Sequence, residues 1–316
     1  MRTIHDVNVR VRRRVLASRR RSAGSRRGDV VLAYVALAKP RIIELLLITT
    51  VPTMVLADRG IPSLWLIAAT LIGGTLTAGG ANAANQYLDR DIDEMMSRTR
   101  HRPLPAHRVL PGRAVAFAVA IEAAGVLWLA LTVNALSAAL AFSAAAFYVV
   151  VYTVWLKRRS PQNIVIGGAA GAVPVLVGWA AVTGRVGWPA AVLFVLIFLW
   201  TPPHFWALSM RYERDYAAAG VPMLPVVAGR DATTRQIVRY AWLVVATSLV
   251  LIPVGHLGWL YSVSAVGLGS VFVARALALR RKGTVGSAMT LFRYSNIYLA
   301  SLFVAIAIDT IVRHGV

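Results

Sequence analysis

The sequence predicts an all-α fold, a polytopic transmembrane bundle of about nine helices. Of its 316 residues, 58% are apolar and only 15% are charged, whereas a soluble domain is closer to half apolar and about a quarter charged. The apolar residues form runs of roughly 18 to 25 residues with few charges, the length that crosses about 30 Å of hydrocarbon. The connections between these runs alternate between basic and nearly uncharged.

The predicted spans are 36–57, 62–86, 113–133, 136–156, 164–183, 188–210, 238–257, 260–279 and 292–312. The connections after the second, fourth, sixth and eighth spans carry most of the Lys and Arg, whereas the intervening ones carry only Arg59 and Arg185. Lys and Arg concentrate on the cytoplasmic side of a membrane. We therefore expect a cytoplasmic N-terminus, an outside C-terminus and an odd number of spans.

Residues 1–30 form a basic tail before the transmembrane domain of residues 31–316. Ten arginines fall within the first 28 residues, and no apolar core resembles a signal peptide. We expect a disordered tail held near anionic lipid, and we assign it no function. Because mitochondrial presequences are also Arg-rich and acid-poor, the alternative that it is one stays open.

The net charge of +21 would suit a nucleic-acid partner. However, the charge lies in the tail and in alternate connections, as the orientation of a membrane protein requires, so we expect no nucleic acid. The chain has no cysteine, which excludes disulfides and thiolate metal sites.

Oxygen-bearing side chains are aligned at the end of the second span. Asn85, Asp89 and Asp93 follow the spacing i, i+4, i+8, which places them on one helical face. Stacked carboxylates destabilise a helix unless a cation lies between them. Oxygen ligands without His or Cys suit a hard ion, and Mg²⁺ shares its coordination sphere with substrate phosphates. The pattern favours a Mg²⁺ site over a solvated acidic helix end.

A basic segment follows directly, with Arg98 and Arg102 before Pro103 and Pro105. The prolines end the helix and stiffen the loop. An acidic helix followed by a basic loop suits a metal-bridged diphosphate, because the ion neutralises some oxygens and arginine forks bind the others. Lys157, in the connection after the fourth span, is a further phosphate-binding candidate. A simple positive-inside signal would explain the arginines but not the carboxylates beside them.

A second polar cluster follows the sixth span. If the chain after Pro203 is helical, His204, Arg211 and Asp215 share one face. Polar groups at membrane depth are functional candidates, although a lone histidine is often a packed helix-end residue. Two acids lie inside spans: we expect Glu44 to line the same cavity as the aspartates, whereas Glu122 has no predicted partner.

These segments resemble the UbiA superfamily of intramembrane prenyltransferases, and in particular its haem-modifying branch. The Asn-x-x-x-Asp-x-x-x-Asp motif of that family matches Asn85, Asp89 and Asp93. The other matching stretches are 39–42, 85–105, 163–172, 201–206 and 212–225. Residues 202–206 (PPHFW) and 215–225 (DYAAAGVPMLP) are the most specific of these. The second Asp-x-x-x-Asp motif of many members is absent, because the residue four after Asp215 is Ala219, so the number of Mg²⁺ ions stays open.

The resemblance implies transfer of a farnesyl group from farnesyl diphosphate to a vinyl group of haem b, with addition of water. The product would be haem O, which serves haem A and terminal oxidase biosynthesis, with haem A synthase as a downstream partner. The implied setting is the lipid bilayer of a bacterial plasma membrane, with the site toward the cytoplasm. The mitochondrial inner membrane is the alternative.

The resemblance also implies roles for individual residues. The implied Mg²⁺ ligands and catalytic residues are Asn85, Asp89 and Asp93, with Asp215 as a further catalytic residue. The implied diphosphate-binding residues are Arg98, Arg102, Lys157 and Arg211. The implied contacts to haem or another acceptor are His204, Tyr212, Lys39 and Arg41.

Three other functions remain as alternatives, and one of them, a non-catalytic assembly scaffold for a respiratory complex, has no distinguishing sequence pattern. A related prenyltransferase would use an aromatic quinone precursor, although the PPHFW segment favours haem. A transporter would place its polar residues near mid-depth, whereas here they gather at one face.

Overall fold

The structure, a computed structural model, describes residues 28–315, and of residues 41–47 it describes only the backbone. The predicted tail therefore lies outside the described residues, apart from its last three, which are helical. The helices are α1 (Gly28–Ala38), α2 (Pro40–Asp58), α3 (Leu64–Leu88), α4 (Arg90–Met95), α5 (Pro111–Thr132), α6 (Ala135–Ala146, continued by a π-helix over Phe147–Leu156), α7 (Asn163–Thr183), α8 (Trp188–Arg211), α9 (Glu213–Ala218), α10 (Leu224–Val254), α11 (Trp259–Lys282) and α12 (Val285–His314).

The predicted all-α bundle is confirmed. Among the described residues, eight helices are long and apolar enough to cross a membrane: α3, α5, α6 with its continuation, α7, α8, α10, α11 and α12. The first predicted span is divided, because Lys39 has a left-handed backbone (φ 54°) that separates α1 from α2. The described apolar part of α2, Ile48–Asp58, is shorter than the eight. A total of nine spans and the direction of the termini stay predictions.

The outer surface of the bundle is apolar. Large apolar side chains are exposed along several helices, among them Leu131, Val263 and Val312. Trp65, Trp188 and Trp259 are also exposed, and each lies in the first turn of its helix. Contiguous apolar surface of this extent marks contact with lipid in a membrane protein, and tryptophans at helix ends are typical of the membrane interface.

The helices pack in a closed circuit. α3 packs on α5, α5 on α6, and α6 on α7, which also contacts α2 and α8. From there α8 packs on α10, α10 on α11 and α11 on α12, and α12 returns to α2 and α8. The largest buried apolar cluster lies among α7, α8, α10, α11 and α12. The long connections after α3 and α8 lie at the same end of the bundle, because Ser97 of the first bonds Asp215 of the second.

The π-helical continuation of α6 is held closely against α7. At its end the amide of Lys157 donates to Tyr152 O, five residues back, at 2.8 Å. Tyr152 stacks on Tyr148, with ring centres 5.4 Å apart, and its ring lies against Gly167 of α7. Gly168 likewise faces Thr201 of α8. Small residues at these positions let three helices approach closely beside the connection after α6.

We expect Gly167→Ala to destabilise the protein by about 1–3 kcal/mol, because the added methyl group would overlap the Tyr152 ring. Gly171→Ala is the matched control one turn further along α7, where nothing lies within 4 Å of the added Cβ. That change should instead stabilise the helix by about 0.5–1 kcal/mol. Thermal unfolding of the two variants in detergent checks the difference in sign, and equal shifts would contradict it.

Candidate active site

Asn85, Asp89 and Asp93 lie at the junction of α3 and α4. Asp89 (φ −94°, ψ 6°) separates the two helices, yet its amide donates to Asn85 O at 2.9 Å, and the amide of Asp93 donates to Asp89 O at 2.8 Å. The three side chains are 3%, 0% and 2% exposed. The helical spacing survives the break, so the aligned arrangement predicted from the sequence is present and buried.

Basic residues from two separate connections meet these carboxylates. Arg102 Nη1 donates to both oxygens of Asp93, at 2.9 and 2.7 Å. Lys157 Nζ donates to Asp89 Oδ2, which also accepts from Asn85 Nδ2 at 2.7 Å. The loop after α4 and the connection after α6 thus deliver their cations to one place, although only Arg102 is near the acids in sequence.

Lys39, assigned from the sequence to the acceptor, is placed against the same cluster. Its Nζ donates to Asn85 Oδ1 at 2.7 Å. The turn that carries it is held by α3: Asn82 Nδ2 donates to Ala38 O at 3.2 Å, and Gln86 Nε2 donates to Leu37 O at 2.8 Å. These amides satisfy carbonyls at the C-terminal end of α1. Polar residues four apart inside an apolar span were the sequence signal that could have identified them.

Thr153 is a site residue that the sequence did not indicate. Asn85 Nδ2 donates to Thr153 Oγ1 at 3.1 Å, and that hydroxyl donates to Tyr148 O at 2.8 Å. The acceptor lies five residues back, so the π-helical pitch orients the hydroxyl toward α3. Thr153 therefore fixes the side-chain amide of Asn85 between α3 and α6.

The donor chemistry of the cluster fits a hard divalent cation. Asp89 Oδ1 is buried and has no hydrogen-bond partner among the described residues, which leaves a carboxylate oxygen available to a metal ion. In the described part of the chain, no three His, Cys, Asp or Glu side chains are grouped tightly enough to hold a metal by themselves. Two carboxylates and one side-chain amide supply only a few oxygen ligands. That suits Mg²⁺, which completes its coordination with water molecules and with the phosphate oxygens of a substrate.

The second cluster divides into two parts. α8 continues through Pro202 and Pro203 but ends at Arg211, and Tyr212 (φ −106°, ψ 24°) breaks the helix before α9. His204 and Arg211 therefore lie on α8 but Asp215 lies on α9, so the continuous helix on which their shared face was predicted is not present. Asp215 instead accepts from Ser97 N at 3.0 Å and from Ser97 Oγ at 2.5 Å, so it ties the loop after α4 to α9.

Arg98 and Arg211 both lie near the ring of Tyr212, between α8 and α9. Both guanidinium carbons are 5.7 Å from the centre of the Tyr212 ring, a separation that permits cation–π attraction. Tyr212 thus joins two of the predicted phosphate-binding cations.

His204 is not part of this arrangement. It lies deeper in α8, packed against α12. The side chains of Arg41 and Glu44 lie outside the described residues.

An exposed ion pair lies beside the cluster without belonging to it. Arg158 donates to both oxygens of Asp91, each at 2.7 Å, and the Asp91 side chain is 61% exposed. Hydrogen bonding from Arg158 lowers the pKa of Asp91 to about 2. Asp91 points away from the cluster because it is two residues from Asp89 on a helical path.

Glu122 occupies a separate cavity between α3, α5 and α6. The cavity has a volume of about 620 Å³ and is lined mainly by Ala and Val. Both carboxyl oxygens of Glu122 are buried without a hydrogen-bond partner among the described residues, and Gly80 leaves the space that its side chain occupies. The structure does not bring Glu122 into the aspartate cluster.

The chain is similar to proteins of one family. The family model described as "UbiA prenyltransferase family" matches residues 46–302. A protoheme IX farnesyltransferase from Frankia alni is 57% identical over 285 residues, covering 89% of this chain and 99% of the relative. One from Clavibacter michiganensis is 52% identical over 282 residues, covering 88% of this chain and 92% of the relative.

Solved structures share the fold at low identity. A structure of digeranylgeranylglyceryl phosphate synthase aligns with a TM-score of 0.73 and 17% identity, covering 89% of this chain and 99% of that one. A UbiA homolog from Archaeoglobus fulgidus bound to GPP and Mg²⁺ aligns with a TM-score of 0.59 and 15% identity, covering 87% and 99%. The helical arrangement is therefore one that solved intramembrane proteins adopt.

Proposed function

The chain belongs to the UbiA prenyltransferase family, and from that premise we propose that it is an intramembrane enzyme that modifies haem. It transfers a farnesyl group from farnesyl diphosphate to a vinyl group of haem b, with addition of water, and so forms haem O. The observation that carries this function is identity above 50% to protoheme IX farnesyltransferases along nearly their whole length. The buried acid–base cluster of Asn85, Asp89, Asp93, Arg102 and Lys157 supports it.

The chemistry needs positive charge where the diphosphate leaves. As the allylic C–O bond ionises, negative charge develops on the leaving group, and preorganised cations stabilise it most strongly in a water-poor site. Arg102 and Lys157 supply such cations at the buried face of α3, and we assign them to the diphosphate oxygens. Lys39 lies close enough to Asn85 to join them, so we move its proposed role from the acceptor to the diphosphate.

Asn85, Asp89 and Asp93 are the proposed ligands of Mg²⁺, and Asp89 Oδ1 is the atom whose lack of a partner best supports this assignment. When bound, the ion would neutralise diphosphate charge as a Lewis acid. The chain itself fixes the ligands: Thr153 orients Asn85, and Thr99 Oγ1 bonds Asp93 O at 3.1 Å.

The second cluster shapes the entrance of the site. Asp215 holds the loop that carries Arg98 and Arg102 through its bonds to Ser97, so we propose that it acts by positioning that loop. Arg98 and Arg211 flank Tyr212 at the loop surface, where they can attract a diphosphate from water.

The apolar helices make the chain an integral membrane protein. We further propose that it resides in a bacterial plasma membrane with the cluster toward the cytoplasm, because the connections at the cluster end carry most of the Lys and Arg. An enzyme that oxidises the new haem, haem A synthase, would be the natural recipient of this lipophilic product.

Mass spectrometry of haem after incubation with purified protein, haem b, farnesyl diphosphate and Mg²⁺ tests the function. We expect a haem that has gained one farnesyl group plus water. A chelator should abolish this product, and excess Mg²⁺ should restore it. Unmodified haem despite demonstrated haem binding would contradict the proposal, and prenylation of an aromatic acceptor instead would identify the quinone-precursor reaction.

A further inference from the structure

The imidazole of His204 is held more tightly than a helix-end histidine requires. Its ring stacks on Trp200, with centres 4.3 Å apart and planes at 22°, and contacts Phe292 of α12 at a tilt, with centres 4.5 Å apart and planes at 32°. The ring therefore cannot change its tilt without disturbing an aromatic neighbour. One stacked and one tilted contact fix the plane of the imidazole but do not choose which nitrogen carries the proton.

Ser295 makes that choice. His204 Nδ1 lies 2.7 Å from Ser295 Oγ, and the same hydroxyl donates to the carbonyl oxygen of Phe292 at 2.7 Å. A serine hydroxyl has one proton and two acceptor lone pairs. Because that proton goes to Phe292, Oγ accepts from His204, so Nδ1 carries a hydrogen. Nε2 then presents a lone pair, because a neutral imidazole has one N–H and Nδ1 carries it.

The backbone of Ser295 strengthens the same arrangement. Trp200 lies one helical turn before His204 on α8, and its Nε1 donates to Ser295 O at 2.9 Å. Ser295 is fully buried, so its side chain and its carbonyl both bind α8 in an environment without competing water. Ser295 thereby bonds both the tryptophan and the imidazole that stack on each other in α8.

His204 also belongs to the same interior as the aspartate cluster. Thr201, one turn before it, faces Gly168, and the adjacent Gly167 faces Tyr152. The next residue after Tyr152 is Thr153, which accepts from Asn85. Seven residues separate His204 from the end of α8 at Arg211, which is about 10 Å along a helix. The imidazole thus lies within the bundle, below the loops that carry the cations.

We propose that Ser295 is a positioning residue that holds His204 in the Nδ1–H tautomer and so presents Nε2 as an axial ligand to the iron of the haem acceptor. The inference rests on the proposed function, because it concerns how that acceptor is held. A ligating histidine commonly donates its second N–H to a fixed acceptor, which sets the ring orientation and raises the basicity of the ligating nitrogen. In this protein the fixed acceptor is the hydroxyl of Ser295.

Resonance Raman spectra of ferrous haem b bound to the full-length protein test the inference without any turnover. We expect an iron–histidine stretching band in the wild type and its loss in His204→Ala. In Ser295→Ala the band should move to lower frequency, because Nδ1–H loses its acceptor, and the Kd for haem should rise about tenfold. Ser301→Ala, on the same helix, is the matched control and should change neither.

An unchanged band in Ser295→Ala, or no such band in the wild type, would overturn the proposal. Because these spectra require no farnesyl diphosphate, product formation by the wild type would still support the proposed function in that case. Should Ser295→Ala fail to fold, ¹⁵N-histidine spectra of the wild-type protein report the tautomer directly, with His204→Ala assigning the signal. A proton on Nε2 would then overturn the proposal, and a proton on Nδ1 would support it.

Discussion

Replacing Asp89 by asparagine should lower kcat for farnesyl transfer about 10²- to 10³-fold, the loss typical of removing one preorganised electrostatic group. Asp89 is fully buried, and its Oδ1 is the unpartnered oxygen of the cluster. The substitution keeps the shape of the side chain but removes the charge that we assign to the metal ion. Product formation by mass spectrometry across a Mg²⁺ titration measures the effect, and higher Mg²⁺ should restore part of the rate.

Asp91→Asn is the matched control, two residues away on the same loop helix. Asp91 is exposed and pairs only with Arg158, and exposed ion pairs contribute little, so the rate should stay within about twofold. Thermal unfolding of both variants separates folding from catalysis, since Asp89→Asn leaves Lys157 without its carboxylate. Full activity of a folded Asp89→Asn would show that the metal assignment is wrong.

Arg102→Ala should lower kcat/KM for farnesyl diphosphate about 10²-fold, mainly through a higher KM for that substrate. The guanidinium lies against Asp93, beside the proposed position of the diphosphate, and the charge-assisted bonds that it would make to phosphate oxygens are worth roughly 1.5–3 kcal/mol each. The KM for haem b should change less than twofold, because we assign the acceptor to the His204 side of the interior. Steady-state kinetics with each substrate varied in turn measure both constants.

Arg100→Ala provides the comparison, because Arg100 belongs to the same basic segment but its side chain is exposed. Arg100→Ala should leave the KM values for farnesyl diphosphate and for haem b within about twofold of the wild-type values. Equal increases in the two KM values for Arg102→Ala would contradict its role at the diphosphate. A large effect of Arg100→Ala would indicate that the general charge of the loop, not one positioned arginine, binds the substrate.

The fold was predictable because lipid leaves the backbone few options. Apolar runs long enough to cross a bilayer must form helices that satisfy their own hydrogen bonds. Six predicted spans therefore match helices within a few residues, and two more lie within the longer helices α10 and α12 apart from a few residues at one end. The division of the first span at Lys39 was not predictable. It depends on Asn82 and Gln86 of α3, which bind the carbonyls at the end of α1.

The site was predictable only where it follows helical periodicity. Asn85, Asp89 and Asp93 share a face because four residues nearly complete a turn, and that rule survived a break in the helix. Thr153 and Ser295 gave no such signal, since each acts through a contact between helices far apart in sequence. Asp215 was grouped with His204 by the same periodicity, and the end of α8 at Arg211 separated them.

The π-helix over Phe147–Leu156 fixes the directions in which its side chains, and those directly after it, point around the helix axis. Its hydrogen bonds reach five residues instead of four, so the segment turns less per residue than α6 before it, and Thr153 and Lys157 emerge at angles that continuous α-helical winding would not give. Deleting one residue here would leave an apolar span of nearly unchanged length but rotate Lys157 by about a quarter turn relative to α3. The sequence of this segment looks like ordinary lipid-facing sequence. Its number of residues nevertheless determines whether Thr153 and Lys157 point toward the acidic cluster.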